Sequence, residues 1–99
     1  MTENRTSTAR VSTARPGRYA KQLASHFGRM VETHWSEAEG RGDIVFDGPI
    51  PVSLVAGDGV LLMTVSASET DLDRVERIVG THLERFGRAD DLSVQWHRS

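Results

Sequence analysis

Two histidines stand out as residues that could do chemistry. His26 lies in LASHF (23–27) and His82 in VGTHL (79–83), each following small or hydroxylic residues and preceding an apolar one. Both fall on the apolar stripe of a helical pattern. Two inward-facing imidazoles on neighbouring helices would begin a metal site, since neutral imidazole is a common ligand of transition metals. A third ligand would have to come from Glu32, Asp71 or Asp73, because no HExxH, HxH or histidine-rich tract supplies one in sequence. The competing reading is that each ring is half-buried and hydrogen-bonded to a backbone carbonyl or a neighbouring side chain, the usual fate of a lone ionisable ring on a helix.

A second constellation is basic. Arg15, Arg18 and Lys21 cluster near the start of the first helix, with Tyr19 among them and Gln22 one turn beyond Arg18. Free N–H groups at a helix start favour phosphate or carboxylate, so these three residues are the candidate anion site. The competing reading is a solvated charged face. Tyr19, Gln22, Phe27, Phe86 and Trp96 are candidate structural or pocket-lining residues. Trp35 and Trp96 fall in the apolar phase of strands and are expected to cover the core rather than form a stacking platform.

No catalytic residues can be assigned. Asp90-Asp91 has no partner acid or base in view, and no nucleophile, base and orienting group come together in sequence. The Gly57-Asp58-Gly59 and Gly40-Arg41-Gly42 segments are too short for a phosphate loop and do not open a helix. Arg41-Gly42-Asp43 reads as ordinary turn chemistry. A non-enzymatic binding or accessory domain is therefore the leading expectation. A small metal- or ligand-binding protein or enzyme using His26 and His82 is the alternative, and a self-associating module with an exposed sheet face or edge is the third.

These residues need elements to hold them. Residues 1–8 are polar and are expected to form a disordered tail ahead of a single domain over 9–99. A short strand is expected at about 9–14, and Pro16 then suits the first turn of a helix running to about Met30. Tyr19, Leu23, His26, Phe27 and Met30 share one face of that helix. Alternation predicts strands around Val31–Trp35, Ile44–Phe46, Ile50–Ala56 and Val60–Ala67, with turns at 39–42, 47–49 and 57–59. Ser68-Glu69-Thr70-Asp71 has the form of a capping box opening a helix to about Phe86, with Leu72, Val75, Val79, His82 and Phe86 inward. Leu92–Trp96 alternates as a last strand. The order β-α-β-β-β-β-α-β implies an α+β two-layer sandwich, with a mostly antiparallel sheet and both helices on one face.

Composition narrows the function classes. A net charge of −2 gives no overall field for nucleic acid or anionic membrane, although eleven of the twelve basic residues are arginine. The absence of cysteine removes disulfides and thiolate chemistry and fits a cytoplasmic location. The first residues are polar with no apolar run behind them, so no signal peptide is expected.

The segments RYAKQLASHF in the first helix, THLERFG ending the second, and LSVQW near the end resemble a bacterial family known as domain of unknown function 2218. The resemblance spans residues 10–97. It carries over Arg18, Tyr19, Gln22, Leu23, His26, Phe27, His82, Leu83, Arg85, Phe86 and Trp96, and it names no activity, cofactor or catalytic residue. Related domains occur beside or fused to siderophore-interacting, flavin-dependent reductases. The resemblance thus implies iron or siderophore metabolism as the setting and such a reductase as partner, while a second copy of the chain is the partner that an exposed sheet face or edge would take.

Overall fold

The computed structural model describes residues 4–99. The elements are β1 (Arg5–Ser12), α1 (Pro16–Phe27), β2 (Glu32–Ser36), β3 (Arg41–Phe46), β4 (Ile50–Gly57), β5 (Val60–Ala67), α2 (Glu69–Phe86), a 3-10 turn (Arg88–Asp90) and β6 (Trp96–Arg98). This is the expected order of an α+β fold. The six strands form one sheet in the order β2-β3-β4-β5-β1-β6, and every neighbouring pair is antiparallel. Hairpins generate β2 to β5. β1 then fills the place beside β5, and β6 closes the sheet on the far side of β1.

One sheet face carries the core. Ala9, Val11, Ile44, Val52, Leu54, Leu61 and Met63 are fully buried against Leu23 of α1 and Leu72, Val75, Val79 and Leu83 of α2. Alternation turns Thr8, Thr64, Ser53, Asp43 and His34 to the opposite face, where the strand registers place them in one row across the sheet. The uncovered face is thus polar along its middle.

The helix ends follow local chemistry. Ser68 caps α2 by accepting the Asp71 backbone N–H and also lies 3.3 Å from the Asp71 carboxylate. Gly87 ends it, in a position where any side chain would overlap Leu92. α1 stops at Phe27, three residues short of the expected Met30. Gly28 begins the turn into β2, its backbone packed against Thr33, and Met30 is left 68% exposed.

Three further expectations are corrected. The segment expected to be a disordered tail includes Arg5 to Thr8, which are paired with Ala67 to Thr64 in β1; residues 1–3 lie outside the described residues. This part of the strand escapes an apolar search because Ser7, wholly buried, bonds to Glu76 rather than to a hydrophobic neighbour. The last strand begins at Trp96, not Leu92. Leu92 is instead a plug against Gly87, and the Val94 N–H donates to Glu84, so the alternation reports a chain crossing the end of α2. Arg41-Gly42-Asp43 lies in β3 rather than in the turn, with Gly42 opposite Trp35 and no room for a side chain beside the His34 carbonyl.

Candidate functional site

α1 and α2 lie side by side on the core face, and periodicity brings His26 and His82 to the seam between them. The two imidazole centroids are 4.8 Å apart, with planes tilted by 40°. Phe27 packs edge-on against both rings, at 5.1 and 5.0 Å, and Phe86 lies 5.3 Å from His26. His82 Nδ1 is 2.7 Å from the Ile78 carbonyl oxygen, one turn back in its own helix. A carbonyl only accepts, so Nδ1 carries the hydrogen, and Nε2 is the nitrogen that holds the lone pair in the neutral tautomer. His26 has no hydrogen-bond partner among the described residues. Burial, then the neighbouring His82, Arg29 and Arg85, lowers its pKa from the ordinary imidazole value.

His26 and Phe86 form the inner wall of an open groove of about 500 Å³, completed by Arg18, Lys21, Gln22, Ser25 and Arg29. The α1 residues recur every three or four positions along one helix face. No acidic residue lines the groove, and three cations converge there in a chain whose net charge is −2. Lys21 is ion-paired with Glu37 at 3.1 Å. Arg18 and Arg29 have no ion-pair partner among the described residues. The groove is shallow, with Arg18, Lys21, Gln22, Ser25 and Arg29 exposed and His26 and Phe86 half-buried.

The fold joins most of the sequence candidates and separates the rest. Arg18, Lys21, Gln22, His26 and Phe86 share the groove, with His82 packed behind His26. Arg15 does not join them. It precedes α1 and lines a different hollow with Asp90 and Leu92. Tyr19 is buried away from the groove, its hydroxyl donating to Asp90, and that bond, ahead of burial, raises its pKa. Phe27 is a core residue packed edge-on against Phe46. Trp96 packs over Gly80, beside Val94 on the same glycine.

The carboxylates proposed to help the histidines lie elsewhere. Glu32 is 3.6 Å from His34, Asp71 serves the α2 cap, and Asp73 pairs with Arg98. Among the described residues no group of three His, Asp or Glu side chains is placed to hold a metal. Sequence reasoning missed Ser25 and Arg29, although continuing the Arg18 and Gln22 spacing along α1 would have found both. It also missed His34, whose Nδ1 lies 2.8 Å from Asp43 across the strands, a contact that raises its pKa.

The model of the family described as "Uncharacterized protein conserved in bacteria (DUF2218)" matches residues 8–97. The chain belongs to this family. Among solved structures it is similar to PA4090 from Pseudomonas aeruginosa, determined by NMR, with 28% identity and a TM-score of 0.75, covering 94% of this chain and 95% of that one. A comparison with curated proteins gives no match. Among the described residues no helix is long and apolar enough to cross a membrane.

Proposed function

We propose that this is a non-enzymatic binding or accessory domain that takes an anionic small molecule in the groove between α1 and α2. The observation that carries the reading is the convergence of Arg18, Lys21 and Arg29 on one concave surface with no acid in its lining. Such a surface focuses positive potential against the overall charge of the chain and selects carboxylate or phosphate groups. Gln22 and Ser25 supply neutral hydrogen bonds, and the Phe86 and His26 rings give an aromatic wall for the ligand's body.

The setting that accompanies this reading is iron or siderophore metabolism in the cytoplasm, with a siderophore-interacting reductase or a second copy of the chain as partner. Its support is the family resemblance and the cysteine-free sequence. The test of the site is an amide NMR titration with sulfate and with citrate at two ionic strengths. Saturable shifts confined to Arg18, Ser25, Arg29 and Phe86, weakened by Arg29→Gln, are expected. Shifts that stay linear and spread over every arginine would refute the site.

A further inference from the structure

At the groove lies something that anion binding does not require: two adjacent imidazoles, His26 in its lining and His82 packed behind it. His82 donates from Nδ1 to the Ile78 carbonyl, which leaves Nε2 as its only ligand atom. Metal-bound histidines almost always carry this kind of second hydrogen bond, which fixes the tautomer and orients the ring. His26 lines the groove and has neither nitrogen engaged among the described residues.

Their ring-centre separation, close to that of the neighbouring His–Phe packing contacts, is compatible with joint coordination. With metal–nitrogen bonds of about 2.0–2.1 Å and the ring centre roughly 1.1 Å further, two cis imidazoles place their centroids about 4.5–5.2 Å apart. The observed separation is 4.8 Å.

The surroundings determine what kind of metal species fits. No carboxylate joins the pair, so the protein leaves most coordination positions unfilled. Arg18, Lys21 and Arg29 line the groove. This field opposes a bare dication and attracts an anion. Both difficulties vanish if the metal arrives with oxygen donors already attached.

We propose that His26 and His82 are the two protein ligands to a divalent transition metal that enters the groove as an anionic, partly chelated complex. Two imidazole nitrogens replace two cis water molecules, the chelator keeps the remaining positions, and no oxidation state changes. Arginine side chains hold the chelator's carboxylates. A chelator that saturates the metal leaves no position for imidazole and falls outside this class. Nickel, copper and zinc accept this nitrogen and oxygen donor set. The inference rests on the anionic-ligand reading of the same groove.

The probe is nickel nitrilotriacetate, a complex of charge −1 with two open cis positions, compared with aquated nickel ion by calorimetry on untagged protein. The complex is expected to bind once per chain and at least ~10-fold more tightly than the bare ion, with either His26→Gln or His82→Gln costing ~10-fold or more. His34→Gln and His97→Gln should leave it unchanged. Arg29→Gln should weaken the complex and strengthen the bare ion, a reversal that a general loss of structure would not produce. If His82→Gln does not fold, His26→Gln carries the test, since His26 makes no protein hydrogen bond among the described residues. Equal or tighter binding of the bare ion overturns the proposal, as does binding of the complex that survives either groove substitution. Sulfate binding without binding of the complex would end this inference and leave the anion site standing; absence of both would end both.

Discussion

Replacing Glu76 by alanine should destabilise the domain by about 3–5 kcal/mol. Glu76 joins three elements. Its carboxylate accepts from Ser7 of β1 at 2.6 Å and from Arg98 of β6 at 2.9 and 3.0 Å, and Arg98 also reaches Asp73 on α2. The Glu76 and Arg98 side chains are 16% and 22% exposed, and Ser7 is 0% exposed. Breaking a buried ion pair from one side costs about 3–5 kcal/mol. Arg98 keeps Asp73 and some water, which reduces its share to about 2 kcal/mol on the scale of exposed and half-exposed pairs. The stranded Ser7 hydroxyl adds about 1–3 kcal/mol.

Urea unfolding followed by tryptophan fluorescence measures the loss, and thermal unfolding should show a fall of roughly 12–25 °C for a domain of this size. Exchanging both partners, Glu76→Leu with Arg98→Met, should recover much of the deficit because nothing charged is left stranded. The acid limb gives a second readout. Arg98, followed by Ser7, holds the Glu76 carboxyl below its ordinary 4.5 against the opposing effect of burial. A depressed folded pKa means that this stabilisation is complete above about pH 4.5, the unfolded value, and disappears as pH falls through the folded value. Glu76→Gln should therefore flatten stability against pH below 4.5 and leave its shape near neutrality unchanged. A loss under about 1 kcal/mol in Glu76→Ala, with an unaltered acid limb, would refute the reasoning.

His26 should report with its own pH window. Its folded pKa lies below 6.5, so its neutral form stabilises the fold fully above 6.5, and this is lost as pH falls toward the folded value; His26→Phe should remove that part of the pH dependence in chemical unfolding between pH 4 and 7. Gly87→Ala should cost about 1–3 kcal/mol in urea unfolding, since its methyl group would overlap Leu92 and force overpacking. Ser68→Ala removes the α2 cap and should cost about 1 kcal/mol, with faster amide exchange confined to the first turn of α2.

Much of this architecture is readable from local pattern. The helical spacing of Tyr19, Leu23 and Phe27, and of Leu72, Val75, Val79 and Leu83, sets which helix faces turn inward. Strand alternation locates four successive strands, and Ser68 with Asp71 marks where α2 begins. Periodicity is a property of nearest neighbours, so sequence carries it. It also carries the inward phase of His26 and His82, because a helix repeats every 3.6 residues whatever it packs against.

Tertiary structure decided what the neighbours could not. Ser7 and Glu76 are 69 residues apart, and only the insertion of β1 between β5 and β6 makes a polar segment a central strand. Packing α1 beside α2 placed the two histidine rings together, set Phe86 of α2 beside the α1 face that carries Arg18, Lys21 and Arg29, and kept Glu32, Asp71 and Asp73 away from the histidines. Sequence determined which side chains face inward or outward along each element. Which of them meet depended on the relative placement of elements, because long-range contacts are selected by the packing of whole faces rather than by local spacing.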